Sequence, residues 1–298
     1  MKVVLFCGGL GTRLREYSET IPKPMVEVGP RPILWHLMRY YAHFGHKEFI
    51  LCLGYRGDAI KRYFLNYEEH SSNDFVLTRG GKCVRLTKSE IEDWTISFID
   101  TGINTKIGQR LLAVRRYLGD DAEFLANYAD GLSDLDLDEY LANFRRQGAI
   151  ASFLCVRPSQ SYHTVEIDDD GRVRGLQAIG ESSIWINGGF FAFRKEIFDY
   201  IQDGEELVDE PFRRLIARNQ LIAHRNTGFW ACMDTLKEKV MFDEMYASGN
   251  TPWAVWERCA EGGERRVHPT LAASDTYGLV AGVLGAGMCH GEDRKSVV

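Results

Sequence analysis

Short apolar runs alternate with stretches of helical periodicity along most of the chain. The first run, Val3-Val4-Leu5-Phe6, leads into a glycine-rich segment, "CGGLGTRL". Residues 32–44 carry the apolar spacing of an amphipathic helix opened by Pro32, residues 47–53 predict a strand, and residues 58–67 predict a second helix. The alternation continues with a strand over 94–100, a helix over 106–118, a strand over 123–128, a helix over 138–147 and a strand over 150–156. Such βαβ repetition predicts an α/β fold with a largely parallel sheet and helices on both faces.

Beyond Pro158 the pattern changes. "HTVEIDDDGRVRGLQ" reads as two strands joined by an Asp-Gly turn, a hairpin signal. "SIWINGGFFAF" predicts another strand, with helices around Phe198 and over 210–219, a strand over 221–225 and a helix over 236–248. No internal repeat or low-complexity linker divides the chain, so one α/β domain with a mixed second half is expected over residues 1–257. Residues 258–298, glycine- and alanine-rich without clear periodicity from about His268, form an extension to which no function is assigned.

Composition narrows the function classes. A chain of 298 residues can bury a full core. A formal net charge of −6 argues against non-specific nucleic-acid or anionic-membrane binding. Seven cysteines without a C-x-x-C pair do not form a complete disulfide framework or a zinc site, and reduced thiols in a cytoplasmic protein are the expectation. The amino terminus shows no signal-peptide pattern, and no apolar run reaches the roughly 18–20 residues of a membrane span.

Candidate chemistry gathers at the strand ends, where open α/β sheets bind ligands. The exits carry "CGGLGTR", "LGYRGD", "DTG", "NYADG", "NGG" and "MDT". The first is neither a Walker A loop nor a dinucleotide fingerprint, because no Gly-Lys-Ser/Thr closes it and Leu14 stands where a third glycine would be needed. That missing glycine also argues against a Rossmann oxidoreductase. Arg13, Arg15 and Lys23 beside the loop suit a polyphosphate. Asp130 and Asp234, converging from distant segments, would hold Mg2+ on a triphosphate. Each alone also fits a local role: Asp130-Gly131 as a plain turn, Asp234 as a helix N-cap.

The ordered series "GGLGTRL", "PKPM", "ADG" and "MDT" resembles the sugar-1-phosphate nucleotidylyltransferases. The spacing over residues 30–36, "NGGFF", "NTGFW", "GFWACMDTLKEK" and "TPWAVWE" are similar to the glucose-1-phosphate cytidylyltransferase branch, and the resemblance covers residues 1–257. It implies a Rossmann-like three-layer mixed sheet of the nucleotide-diphospho-sugar transferase type with a sugar-side hairpin, Mg2+ as cofactor, CTP and a sugar 1-phosphate as partners, and a homo-oligomer. It also implies roles. Arg13 and Lys23 match the family's catalytic cations, and Asp130 and Asp234 its metal ligands. Gly8, Gly9, Gly11 and Thr12 match the nucleotide loop, with Gly54, Tyr55 and Arg110 as further nucleotide contacts. Asn187, Gly188 and Glu166 match the sugar side.

One departure stands out. The family's Glu-Lys-Pro signature, whose lysine meets the sugar phosphate, is replaced by Ala178, Ile179 and Gly180. Arg157 is the candidate to supply the missing charge. A non-catalytic relative that binds nucleotide sugar is the competing expectation, favoured only by the loss of that lysine.

Overall fold

The computed structural model describes residues 1–9, 21–67, 73–87, 90–158 and 162–258. Two compact units are present, residues 1–62 with 94–268 and residues 63–93 with 269–298. In chain order the strands begin with β1 (Lys2–Phe6), the short hairpin β2 (Glu27–Val28) and β3 (Arg31–Pro32), and β4 (Glu48–Leu53). The described part of the second unit holds the hairpin β5 (Phe75–Thr78) and β6 (Cys83–Leu86), which no apolar periodicity had signalled. There follow β7 (Thr95–Asp100), β8 (Glu123–Asn127), β9 (Gly131–Ser133), β10 (Ala151–Val156), the hairpin β11 (His163–Ile167) and β12 (Val173–Ala178), β13 (Ile186–Arg194), β14 (Leu221–Arg225) and β15 (Trp230–Cys232).

The helices are α1 (Ile33–His43), α2 (Gly57–Leu65), α3 (Ile107–Val114), α4 (Leu137–Gln147), α5 (Glu210–Ala217), α6 (Leu236–Ala247) and α7 (Val255–Arg258). They lie close to the periodic segments of the sequence. The helix expected over 106–118 tightens after Val114 into a 3-10 turn, Arg115–Tyr117, and the helix around Phe198 is itself 3-10, Lys195–Tyr200.

Seven strands form one mixed sheet in the order β14-β10-β13-β8-β1-β4-β7. β1 pairs in parallel with β4 and β8, β4 with β7, and β10 with β14. Only β13 runs the other way, antiparallel to both β8 and β10. The carboxyl ends of six strands therefore share one edge with the amino end of β13.

Both faces of β13 are buried, which explains its unbroken apolar run "FFAF". Phe191 and Phe193 join Phe124, Phe198 and Phe212 in the core on one face. Phe190 points to the other, against Tyr40 and Tyr41 of α1. In that second layer Asn127 Nδ2 donates to Tyr41 Oη at 3.0 Å, and Tyr40 Oη donates to the Leu135 carbonyl at 2.8 Å.

The "TPWAVWE" segment docks on α1 through aromatic rings. His36 is buried, with Trp256, Trp253 and Tyr246 centred 6.3–6.4 Å away. Its Nε2 lies 2.9 Å from the Val28 carbonyl, while among the described residues its buried Nδ1 has no partner. Burial, with the nearby Arg31 cation adding to it, pushes the imidazole down to about 4. A neutral ring donating from Nε2 suits this box, and a second N–H on Nδ1 would be stranded among aromatic carbon.

The sign of the pH effect follows. Between pH 6.5 and about 4 the unfolded chain binds a proton at His36 that the folded chain refuses, so stability falls as pH falls through that window, by up to about 1.4 kcal/mol per pH unit. His46, pushed down to about 4 by burial and the N-terminal ammonium, acts in the same direction but remains in a His36 variant. In thermal melts between pH 4 and 7, His36→Gln should lower stability at neutral pH yet lose it less steeply on acidification. Parallel acid limbs for variant and wild type would contradict the assignment.

Candidate functional site

Three neighbouring strand exits meet almost backbone to backbone. A Cβ on Gly54, after β4, would lie 2.7 Å from the Gly8 carbonyl oxygen and 2.8 Å from that of Gly102, after β7. The Tyr55 N–H donates to the Gly8 carbonyl at 3.4 Å. No side chain fits at Gly54 without moving main chain, so glycine there is a steric requirement.

Behind these exits lies Arg110 of α3, buried to 2 % exposure. Its Nη1 donates to the Leu53 carbonyl at 3.1 Å and Thr101 Oγ1 at 2.6 Å, and its Nη2 to the carbonyls of Gly8 at 3.1 Å and Ile103 at 3.2 Å. One guanidinium thus satisfies carbonyls from the ends of β1 and β4 and from the loop after β7. A Cβ on Gly8 would sit 2.0 Å from Nη1, so the loop has no side chain where the arginine reaches it. The structure places Arg110 behind the backbone that frames the site.

The acidic exits are brought together by main-chain pairing. β9 and β15 form an antiparallel ladder with Gly131 opposite Cys232, and the Met233 N–H donates to the Asp130 carbonyl at 2.9 Å. Asp130 and Asp234 thereby flank the end of the same ladder. Between them lies Lys23 in the 3-10 turn Lys23–Met25, whose Pro24 and Met25 are buried. Lys23 Nζ donates to Asp130 Oδ2 at 2.7 Å and to Asp234 Oδ1. Burial alone would lower the pKa of this ammonium, but the charge of Asp130 and hydrogen bonds from both carboxylates more than offset it, and the net shift is upward.

One local reading of the acids is resolved by a neighbouring residue. The N-cap of α6 is Thr235, in a capping box with Glu238, whose carboxylate accepts the Thr235 N–H at 2.7 Å. Asp234 is left to face Lys23. Before Asp130, buried Ala129 adopts φ of +52°, a left-handed conformation for a non-glycine residue. Such backbone costs about 1 kcal/mol or more and concentrates at functional sites. Nothing in "NYADG" distinguished it.

On the other side of β8, Asn187 and Gly188 open β13. Asn187 Oδ1 accepts the Gly189 N–H at 2.9 Å, and the Gly188 carbonyl accepts Trp230 Nε1 at 2.8 Å, linking this exit to β15. Glu166 is exposed on β11 and lies over Gly175 in the hairpin. Arg157 follows β10 and donates to the Ser182 carbonyl at 2.9 Å, in the turn after Ile179. Gly9 and Tyr55 stand at the exits of β1 and β4. Gly11, Thr12 and Arg13 lie outside the described residues.

Cys232, which sequence reasoning passed over, sits beside the acids. Burial, then the charges of Asp234 and Asp130, push its thiol up to about 12, so it stays protonated near neutral pH.

Comparison with known proteins bears on the family and the fold. The nucleotidyl transferase family model matches residues 2–235. A glucose-1-phosphate cytidylyltransferase of Salmonella typhi is 38 % identical over 260 residues, covering 86 % of this chain and 100 % of the relative. The same figures hold for the enzyme of that name from Salmonella typhimurium. Among solved structures, UDP-glucose pyrophosphorylase complexed with UDP-glucose has a TM-score of 0.62 at 14 % identity, covering 83 % of this chain and 98 % of that one. The chain belongs to the nucleotidyl transferase family.

Proposed function

We propose that this chain transfers a nucleotidyl group, from CTP by preference, to a sugar 1-phosphate and releases pyrophosphate. The observation that carries the reading is the convergence of Lys23, Asp130 and Asp234 on one point of the sheet's carboxyl edge. The preference for CTP and for a glucose-type acceptor rests on the cytidylyltransferase relatives.

In the reaction, an oxygen of the sugar phosphate attacks the α-phosphorus in line. A P–O bond forms as the bond to the β-phosphate breaks, and the electron pair departs with pyrophosphate. No covalent bond to the protein is required, so positioning and charge neutralisation supply the rate. Lys23, with its pKa raised, keeps its proton and offers a fixed positive charge to phosphate oxygens. Arg13 neutralises charge building on the departing pyrophosphate. Gly8, Gly9, Gly11 and Thr12 wrap the triphosphate, and Gly54 and Tyr55 border the base. Arg110 acts from behind, by holding the Gly8 and Leu53 carbonyls. Asn187, Gly188 and Glu166 border the acceptor.

The donor set fits a hard divalent cation. Two carboxylates lie within reach of one ammonium nitrogen, hence of one small ion, and the thiol beside them stays neutral. Two carboxylates alone would leave positions for phosphate and water, as Mg2+ prefers. Asp130 and Asp234 would hold Mg2+, which when bound neutralises phosphate charge in the transition state. We assign this chemistry to residues 1–257 of a cytoplasmic homo-oligomer. No helix among the described residues is long and apolar enough to cross a membrane.

With CTP and glucose 1-phosphate, pyrophosphate release should require Mg2+, and Asp130→Asn or Asp234→Asn should each lower kcat by about 10²-fold or more. Near wild-type turnover with normal metal dependence in either variant would remove that residue from the metal site.

Lys23→Met should cut turnover by about 10²-fold or more, the range for removing one preorganised donor to developing charge. It should also remove one cation from between Asp130 and Asp234, so added Mg2+ should raise the variant's melting temperature more than the wild type's. Equal stabilisation of both proteins would show that the ammonium does not screen the pair.

Arg13→Ala should lower kcat far more than it raises KM for CTP, because its contact strengthens in the transition state. A raised KM with unchanged kcat would make Arg13 a ground-state binding residue.

A further inference from the structure

At the acceptor end of the same edge, three adjacent strands β14, β10 and β13 bring Arg225, Arg157 and Trp185 together. Register explains the meeting. Val156 pairs with Ile186 across β10 and β13, so the next residues outward, Arg157 and Trp185, face each other beyond the end of that ladder. On the other flank of β10, Arg225 ends β14 opposite Cys155. The Arg157 guanidinium carbon lies 5.4 Å from the centre of the Trp185 ring, and that of Arg225 lies 5.3 Å from the same centre.

Two guanidiniums on one half-buried indole form an unusual concentration of positive charge in a chain of net charge −6. Among the described residues neither arginine is ion-paired with a carboxylate, although both are exposed. Arg157 is further fixed by donating from Nη1 to the carbonyls of Ser182 at 2.9 Å and Gly180 at 3.4 Å. One carbonyl lies in the turn Ile179–Glu181 and the other directly follows it, and the turn offers no cation of its own. Cation–π contact and carbonyl tethers hold the two forks in place, so a ligand need not order them on arrival.

The cluster is joined to the site. Trp185 is two residues from Asn187, the Gly188 carbonyl is bonded to Trp230 Nε1, and β15 leads from Trp230 to Asp234.

We propose that Arg157 and Arg225, steadied on Trp185, form the subsite that binds an anionic group of the acceptor sugar. The matching ligand is a planar or tetrahedral oxyanion, which guanidinium grips through two parallel hydrogen bonds. Two sources have this chemistry: the 1-phosphate common to all acceptors, and a carboxylate on an acidic sugar 1-phosphate. The inference rests on the acceptor reading of this end of the sheet, so its test reads binding apart from turnover.

The test titrates glucose 1-phosphate and glucuronic acid 1-phosphate calorimetrically into full-length protein. KM for each with CTP is measured in parallel. The proteins are wild type, the double variant Arg157→Ala/Arg225→Ala, the double variant Arg157→Lys/Arg225→Lys, and Trp185→Leu. The alanine variant should weaken acceptor binding about tenfold or more while KM for CTP stays constant. Lysines should restore part of the loss, since they keep the charge but not the fork. Trp185→Leu should weaken binding less than loss of both cations.

Equal losses for both sugars assign the subsite to the phosphate, and a loss confined to the glucuronic acid derivative assigns it to the carboxylate. Unchanged Kd and KM for both sugars in the alanine variant, with unaltered thermal melting, would overturn the proposal while leaving the transferase reading intact. Arginine-dependent binding without turnover by any wild-type preparation would instead uphold the subsite and overturn the transferase reading.

Discussion

Lys23 held between Asp130 and Asp234 is the contact on which the functional edge depends. It joins residues 107 and 211 positions apart in the chain, so it forms only when the sheet has assembled. Its members are partly withdrawn from water, with 14 % of the lysine side chain and about a quarter of each carboxylate exposed. Two like charges in that setting need a cation between them. Each is held by main chain. Pro22 and Pro24 stiffen the lysine's turn, the β9–β15 ladder fixes Asp130 against Met233, and the Thr235 capping box starts α6 without using Asp234. The fold supplies the geometry, and the three side chains supply the charge.

How far this was legible depends on whether a residue's signal lies in its own neighbourhood. Apolar periodicity located β1, β4, β10, β14 and α1 nearly to the residue, because their burial repeats locally. The glycine and acid exits were also visible, since each carries small or charged residues directly after an apolar run. Periodicity did not reveal the reversal of β13, because a strand buried on both faces reads the same in either direction. The family resemblance gave Arg110 as a nucleotide contact, but its tie to four oxygen atoms was not legible, since those come from three strand ends brought together by the sheet. The left-handed Ala129 leaves no trace in composition. Trp185 and Arg225 stand 40 residues apart, and only the β14-β10-β13 order makes them neighbours.

The two ends of the carboxyl edge are built from different materials. Around Gly8, Gly54 and Gly102 the surface is backbone, packed so closely that a methyl group at Gly54 would strike three main-chain atoms within 3 Å. Arg110 fills the space behind with its charge spent on carbonyls. A change here must move strands, so this end has little freedom. At the β10 and β14 end the surface is made of side chains, with Arg157 and Arg225 exposed on an indole and the β11–β12 hairpin carrying exposed Glu166 alongside.

That contrast gives the two ends different tolerance for substitution. The turn at Ile179 is held by its own bonds: the Ile179 N–H donates to the Tyr162 carbonyl at 2.9 Å, and Ser182 Oγ donates to the Ile179 carbonyl at 2.6 Å. No part of that turn requires a charge at 179 to fold. By comparison, removing Lys23 takes a cation from between two carboxylates, and adding a side chain to Gly54 displaces main chain. Substitution at the β10 and β14 end therefore changes exposed side chains at small cost to stability, whereas substitution around Gly8, Gly54 and Lys23 alters the frame itself.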